Sequence, residues 1–554
     1  MNGGRYRPKE SWGDYQESLS EWTDRAARQS LIPRIWAKDA SLWTGDPEGQ
    51  REVRARLGWL TAPGQSRELA GDIQSVVSEV RKAGFSHVVL LGMGGSSLAP
   101  AVFQSIFGRA EGYPELIVLD STDPLQVKDT EQRAEIEKTL FIVSSKSGGT
   151  IELLSFFKYF YDKVRSRKGD EAGSHFIAIT DPGTPLETLA KTHRFRKVFL
   201  APADVGGRFS ALTYFGLLPA GLIGVDLDKV LEAAGDMAGA VSPSVAVREN
   251  AALSLGIGMA VLAEEGRDKL TLLTSPSLES FADWAEQLVA ESSGKEGAGI
   301  VPVVREPIGP VESYGHDRFF VALLSDGEKT AEDTALEKKL AELAEAGHPV
   351  LRYRLREKWD LGAEFFRWEM ATAVACALLK INAFDQPDVQ SAKERTKALL
   401  GASAAGREIP VKISERDLGT FWENAEEGDY AAILAFLPDR PALRKALTDL
   451  QREIRDRRKM AVTVGLGPRY LHSTGQLHKG GPNKGVFLLV TTEHAEDLPV
   501  PGEPYGFARL ELAQAMGEME ALEEKGRWVF HYRLKEASGQ ELDRLAGDVR
   551  VALG

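Results

Sequence analysis

Cysteine is almost absent from this chain, which has one cysteine, Cys376, in 554 residues. A single cysteine excludes an internal disulfide, and the apolar helical run around it, residues 371–379, is typical of a buried, inert thiol. No uncharged apolar stretch approaches the roughly 20 residues that span a bilayer, so we expect no membrane partner. The amino-terminal residues are polar and lead to no apolar core segment. We therefore expect no secretory signal and a cytoplasmic location.

An excess of positive charge is also lacking, because the formal net charge is −13 at pH 7. The basic clusters, such as residues 452–459, are interleaved with acidic residues, which argues against a nucleic-acid partner. An anionic small molecule would have to be held by particular lysine and arginine side chains rather than by the overall field.

The chain length indicates about three domains of roughly 150 residues each. Short apolar strands alternate with helices, which predicts the α/β class with doubly wound parallel sheets. The pattern starts again near residue 225, and a third region follows from about 410. We predict a helical lead-in at 1–45, a first domain at 46–225, a second at 226–410 and a smaller C-terminal α/β region at 411–554. The predicted strands are 88–91, 141–144, 176–179, 270–273, 319–324, 350–353, 431–436, 460–464, 486–490 and 528–532.

A cluster of hydroxyls, glycines and a lysine follows the predicted strand 141–144 and precedes a helix. Its residues are Ser145, Lys146, Ser147, Gly148, Gly149 and Thr150. Unpaired amides at a helix N-terminus meet the positive end of the helix dipole, so this cluster predicts a phosphate site that needs no metal. A second glycine-rich loop, residues 92–97, lacks the Gly-x-Gly-x-x-Gly spacing of dinucleotide-binding loops. It also lacks the Gly-Lys-Ser/Thr ending of a Walker loop, so the loop gives little support for dinucleotide or ATP binding. Either loop alone would also suit an ordinary tight turn.

Three other polar positions each allow a structural and a functional interpretation. Arg208, after Gly206 and Gly207, could form an ion pair or stabilise negative charge on a substrate oxygen. Gln287 and Glu291, four residues apart, share one edge of a predicted helix, where a carboxylate could be a solvent charge or a general base. Lys393 lies about two helical turns beyond Gln386, and could be an ordinary exposed lysine.

Together, in order and spacing, these motifs resemble the glucose-6-phosphate isomerase family, which has two sugar-isomerase (SIS) domains. The resemblance covers about residues 45–400 and is strongest to the isomerase half of fused transaldolase and glucose-6-phosphate isomerase proteins, here without a transaldolase half. The motifs that carry it are Gly94-Gly95-Ser96, Ser145-Lys146-Ser147-x-x-Thr150, Gly206-Gly207-Arg208-x-Ser210, Gln287-x-x-x-Glu291-Ser292-x-Gly294-Lys295, and Gln386 with Lys393.

The resemblance implies an isomerase without metal or cofactor that interconverts glucose 6-phosphate and fructose 6-phosphate through an enediol. Glu291 would move the proton between carbons 1 and 2, and Arg208 would stabilise the enediolate. Lys393 would assist ring opening together with a histidine. The implied substrate-binding residues are Gly95, Ser96, Ser145, Lys146, Ser147, Thr150, Gly207, Gln287 and Gln386.

The histidine departs from the usual order of the family, which places it between the glutamate and the lysine. The segment Leu-His-Ser-Thr-Gly-Gln at residues 471–476 resembles the family's histidine segment, so we prefer His472, with His316 as the alternative. His348 is interpreted as a turn residue, and His478 as covering the same loop as His472. In the family a partner subunit typically supplies this histidine, so a homodimer and a monomer both stay open.

A second departure is Gly149, where many relatives have threonine, so weaker phosphate binding is expected. Two other functions stay open. A non-catalytic sugar-phosphate-binding SIS protein would keep the phosphate site but have no use for Glu291, Arg208 and Lys393 together. A dual glucose/mannose-6-phosphate isomerase would need the same groups.

Overall fold

The computed structural model describes residues 5–327, 329–414 and 417–554, so the first four residues of the predicted lead-in lie outside it. The described lead-in is mostly helical but also contains one short strand. Trp43 anchors it to the body, because the buried indole Nε1 donates to the carbonyl of Ala373 over 2.9 Å. The elements up to residue 54 are β1 (Lys9–Ser11), α1 (Gln16–Arg28), α2 (Leu31–Trp36) and α3 (Pro47–Arg54).

The first sheet has five parallel strands in the order β3-β2-β4-β5-β6. Its elements are α4 (Ala62–Lys82), β2 (His87–Gly92), α5 (Leu98–Phe107), β3 (Glu115–Leu119), α6 (Pro124–Arg133), β4 (Thr139–Ser144), α7 (Ile151–Lys168), β5 (Phe176–Thr180), α8 (Pro185–Thr192), β6 (Lys197–Leu200) and α9 (Tyr214–Leu222). The connection after β2 leads to β3 on one side of the sheet, whereas the connection after β4 leads to β5 on the other side. This pair is therefore the topological switch point, where the loops after the strands diverge and a crevice forms.

The second sheet has the order β1-β10-β9-β7-β8, and only the edge strand β1 is antiparallel. Its elements are α10 (Leu227–Ala240), α11 (Leu253–Glu264), β7 (Lys269–Thr274), α12 (Glu279–Ser293), β8 (Val301–Val303), β9 (Arg318–Ser325), α13 (Ala331–Glu345), β10 (Val350–Leu355), α14 (Leu361–Leu379) and α15 (Gln390–Ala404). Cys376 lies buried in α14, and this burial raises the pKa of its thiol to about 12, as expected of an inert cysteine.

The third sheet has four parallel strands in the order β12-β11-β13-β14. Its elements are α16 (Leu418–Glu423), β11 (Tyr430–Ala435), α17 (Pro441–Arg458), β12 (Ala461–Leu466), α18 (Gly475–Gly480), β13 (Gly485–Thr492), α19 (Phe507–Glu524), β14 (Trp528–Leu534) and α20 (Gly539–Leu553). Helix α18 packs on α12 of the second sheet, and α15 packs on α19. The third region is thus joined to the part of the chain that carries Glu291 and Lys393.

The predicted α/β class with parallel sheets is confirmed, and each of the ten predicted strands is present. Strands β1, β3, β6 and β8 were not predicted. All four lie at a sheet edge and have only three to five residues, so their short sequences carry little periodic signal. The domain limits remain a prediction. Within the described residues, no helix is both long and apolar enough to cross a bilayer.

Candidate active site

The residues predicted to form a site line one cavity of about 440 Å³ at the switch point of the first sheet. All thirteen of them are in its wall, contributed by loops of the first sheet, by α12, by the segment around α15 and by the loop after β12. Since these segments are up to several hundred residues apart, only the tertiary structure brings them together. The sequence-predicted residues in the wall are Gly95, Ser96, Ser145, Lys146, Ser147, Thr150, Gly207, Arg208, Gln287, Glu291, Gln386, Lys393 and His472.

The loop between β4 and α7 is shaped as an anion cradle. The Ser145 hydroxyl accepts the Gly148 amide over 3.0 Å and lies 3.2 Å from the Thr150 hydroxyl. Gly148 has a left-handed φ of +69°, which lets the chain turn back above the strand end. Thr150 is the N-cap residue of α7 and its side chain makes no cap hydrogen bond, so it leaves the first-turn amides of α7 without a side-chain partner. An anion bound there would meet hydroxyls, amides and the helix dipole together.

Lys146 adds a positive charge to this cradle but is already paired. Its Nζ lies 2.5 Å from Oδ2 of Asp181 and 3.3 Å from the carbonyl of Ala203. Burial lowers the pKa of the Lys146 ammonium from its ordinary value, and the Asp181 carboxylate offsets part of that effect. Arg56 also lines the cavity wall near this pair. A phosphate entering the cradle would therefore compete with Asp181 for the ammonium.

Two glycines in the loop after β2 allow neighbouring backbones to approach. A Cβ on Gly95 would lie 2.1 Å from the carbonyl oxygen of Gly207, and a Cβ on Gly94 would lie 2.6 Å from that of His472. Gly94 also has a left-handed φ of +53°. The absence of side chains at these two positions thus lets the turn with Arg208 and the loop with His472 pack against the loop after β2.

Arg208 and Glu291 form a nearly buried pair in the wall of the same cavity. The Arg208 Nη1 lies 3.4 Å from Glu291 Oε1, and their side chains are 5% and 9% exposed. Gln287 Nε2 donates to Glu291 Oε2 over 3.1 Å, as their four-residue spacing on α12 predicted. The Arg208 guanidinium also donates to Ser292 Oγ and to the carbonyls of Ala383 and Asp385. The Glu291 carboxylate is therefore held in a defined orientation by the Arg208 guanidinium and the Gln287 side-chain amide.

His472 forms a charge-assisted pair with Glu152, a residue that the sequence did not single out. The His472 Nε2 lies 2.9 Å from Glu152 Oε1, which also accepts from Gln514 Nε2 over 2.7 Å. Burial on its own would raise the pKa of Glu152, but the His472 charge and hydrogen bond hold it below its ordinary value. Glu152 is therefore an ionised carboxylate, and it orients the imidazole at the cavity wall.

The other candidate histidines lie elsewhere. His316 is exposed just before β9, at the amino end of a strand, whereas the cavity lies at carboxyl ends. His348 is buried before β10, where burial and Arg267 lower the pKa of its ring to about 4. His478 is buried against the Tyr430 hydroxyl at 3.0 Å. Of the nine histidines, all within the described residues, His472 alone lines the cavity.

Gln386 and Lys393 close the cavity near α15. Gln386 Oε1 accepts from Arg208 Nη1 over 3.4 Å, and a short helical turn that starts at Pro387 leads into α15. Lys393 is an exposed residue on the first turns of α15, and its charge helps lower the pKa of Glu152. The ammonium is therefore close enough to the Glu152 carboxylate for the two charges to interact.

Comparisons with known proteins point to one family. A family model described as phosphoglucose isomerase matches residues 65–310. A glucose-6-phosphate isomerase of Carboxydothermus hydrogenoformans is 29% identical over 404 residues, which cover 64% of this chain and 86% of the relative. A probable glucose-6-phosphate isomerase of Natronomonas pharaonis is 30% identical over 349 residues, covering 57% of this chain and 79% of the relative.

Two solved structures share the fold. A hypothetical protein of Thermus thermophilus superposes with a TM-score of 0.60 at 25% identity, covering 71% of this chain and 99% of that chain. A glucose-6-phosphate isomerase of Chlamydia trachomatis superposes with a TM-score of 0.57 at 19% identity, covering 70% of this chain and 87% of that chain.

Proposed function

The chain belongs to the glucose-6-phosphate isomerase family, and we propose that it interconverts glucose 6-phosphate and fructose 6-phosphate in the cavity described above. One observation carries the proposal: the Glu291 carboxylate, oriented by Gln287 and Arg208, lines the same cavity as the anion cradle. A general base alone, or an anion-binding loop alone, is compatible with many different functions. Their combination suits a reaction in which a distant phosphate positions carbons 1 and 2.

The proposed mechanism starts with the phosphate bound by the cradle and by Lys146. Binding energy from this remote, unreacting group orients the sugar. Glu291 removes the proton from carbon 2 of open-chain glucose 6-phosphate and returns it to carbon 1, while one hydroxyl proton moves from oxygen 2 to oxygen 1. Negative charge develops on these oxygens in the enediolate, and the Arg208 guanidinium stabilises it.

Ring opening precedes this step, because the base needs an open-chain substrate. One proton must leave the anomeric hydroxyl, and one must arrive at the ring oxygen. We assign these transfers to His472 and Lys393, which line the cavity together. Glu152 holds the imidazole in place through the 2.9 Å contact.

We also propose that a single chain forms the complete site. Its support is that every predicted site residue, including His472, lines a cavity of one chain. A monomer should therefore be active, and dilution below any dimer dissociation constant should leave the activity per chain unchanged. The substrates, glucose and fructose 6-phosphates, favour a cytoplasmic location.

The function is tested with purified full-length protein and three sugar phosphates. Fructose 6-phosphate turnover is followed by coupling glucose 6-phosphate formation to a dehydrogenase, and mannose 6-phosphate is assayed in parallel. We expect saturable turnover of glucose and fructose 6-phosphates only. Turnover of mannose 6-phosphate would replace this proposal with the dual activity, and saturable binding without turnover would replace it with a non-catalytic protein.

Gly149 gives a prediction about phosphate affinity. A Cβ at Gly149 has no atom within 4 Å, and its φ is not left-handed, so a threonine fits without strain. Its hydroxyl adds one hydrogen bond, worth about 0.5–1.5 kcal/mol net, so Gly149→Thr should lower the Kd for inorganic phosphate about 2- to 10-fold. Isothermal titration calorimetry on both proteins checks this.

Gly148→Thr is the matched control for that substitution. The φ of +69° and a Cβ 2.8 Å from the Leu186 amide nitrogen force the backbone to move, so this variant should lose phosphate affinity. Equal or weaker phosphate binding by Gly149→Thr would show that its side chain does not reach the anion.

A further inference from the structure

Three potential metal ligands meet where the first sheet contacts the third region, outside the cavity described above. Asp123 precedes α6 of the first sheet, His494 follows β13, and Glu511 lies on α19. One ligand atom from each residue lies within 4.8 Å of those from the other two. No step proposed for the isomerase reaction uses any of them.

The contacts within this cluster leave two carboxylate oxygens without a partner. Asp123 Oδ1 accepts the amides of Leu125 and Gln126, and Glu511 Oε2 lies 2.7 Å from His494 Nε2. The second oxygens, Asp123 Oδ2 and Glu511 Oε1, are buried and accept no hydrogen bond. Both residues are deeply buried, at 0% and 2% exposure.

Such an arrangement is unfavourable without a positive charge between the carboxylates. Among the described residues, no lysine or arginine forms an ion pair with Asp123 or Glu511. Burial raises the pKa of Glu511 above its ordinary value, and burial together with the Glu511 charge raises that of Asp123. A buried carboxylate with an unpartnered oxygen is costly, unless a proton or a cation compensates it.

We propose that Asp123, His494 and Glu511 bind a divalent transition-metal ion, with Zn²⁺ as the preferred occupant. One imidazole nitrogen and two carboxylate oxygens suit Zn²⁺ better than Mg²⁺ or Ca²⁺, which favour all-oxygen sites. Three protein ligands leave a fourth tetrahedral position for a water molecule. The ion neutralises both carboxylates and uses the two oxygens that now have no partner.

The role of this ion is structural, because the ligands adjoin the residues that hold Glu152. Thr122, next to Asp123, donates to Gln514 Oε1 over 2.8 Å, and Gln514 lies one turn beyond Glu511 on α19. Gln514 in turn donates to Glu152. The ion therefore links α19 to the loop before α6. Because Gln514 lies on α19 and donates to Glu152, the position of α19 also affects the position of the His472 and Glu152 pair.

The test uses full-length protein without a histidine tag, equilibrated with equimolar Zn²⁺ and then passed through metal-free buffer. Elemental analysis should find about one Zn²⁺ per chain, and at least ten-fold less in Asp123→Asn, His494→Gln and Glu511→Gln. The matched control is Glu369→Gln, which alters another buried carboxyl with two unpartnered oxygens and should keep full Zn²⁺ content. Added Zn²⁺ should raise the Tm of the wild type and the control only.

A Zn²⁺ content that is the same in wild type and Glu511→Gln would overturn the proposal. So would wild-type protein that retains no Zn²⁺, because the two carboxyls would then be compensated by a proton instead. If the three variants do not fold, metal-free wild type is titrated with Zn²⁺ in competition with a chromogenic chelator. A Kd weaker than micromolar in that titration would also overturn the proposal.

Discussion

Replacing Glu291 by glutamine is expected to abolish isomerisation while leaving sugar-phosphate binding intact. Glutamine has the shape of glutamate and can still accept from Gln287, but it cannot take a proton from carbon. A positioned general base contributes about 10²–10⁴-fold, so kcat should fall about 10³-fold. The Kd for fructose 6-phosphate should stay close to that of the wild type, because the cradle is untouched.

Two measurements separate this role of Glu291 from a structural one. Calorimetry gives the fructose 6-phosphate Kd, and proton exchange in D₂O reports deuterium incorporation at carbon 1 during turnover. Glu291→Gln should bind but not exchange. Glu279→Gln, which alters an exposed carboxylate at the start of the same helix, should match the wild type in both. Retention of more than a tenth of the exchange rate by Glu291→Gln would assign the base elsewhere.

The strands and the cradle were predictable from sequence because their signals are local. An apolar run followed by hydroxyls and glycines, as at Ser145 to Thr150, already contains the physics of a helix N-terminal anion site. Because the carboxyl ends of parallel strands share one edge, a parallel sheet also brings the loops after β2 and β4 to that edge. Likewise, the four-residue spacing of Gln287 and Glu291 predicts their contact, and the structure has it at 3.1 Å.

What sequence reasoning missed depends on contacts between distant parts of the chain. Glu152 looks like an ordinary acidic residue in the first turn of α7, and its importance comes from His472 and Gln514, 320 and 362 residues away. Asp181 lies just after the predicted strand 176–179. Its pairing with Lys146 could not be predicted, because the contact depends on which strands are neighbours in the sheet. Strand β1 similarly pairs with β10, where Lys9 lies opposite Arg352, 343 residues further along the chain.

Replacing His472 by alanine is expected to impair ring opening selectively. Fructose 6-phosphate is mostly cyclic and must be opened, whereas 5-deoxyfructose 6-phosphate has no hydroxyl with which to close the ring. General acid–base groups contribute about 10²-fold or more, so His472→Ala should lower kcat/KM for fructose 6-phosphate by at least that factor. For the 5-deoxy substrate the loss should be only a few-fold, since Glu291 and Arg208 remain. Glu291→Gln, in contrast, should lose both activities.

His316→Ala is the matched control, because it removes an exposed histidine that does not line the cavity. It should match the wild type on both substrates. Glu152→Gln should reproduce the substrate pattern of His472→Ala more weakly, because it weakens the contact that orients the imidazole but leaves the imidazole itself in place. A structural defect would lower both activities equally. If His316→Ala alone impaired turnover of the cyclic substrate, ring opening would have to be assigned to His316, and the exposed loop before β9 would have to move to the cavity.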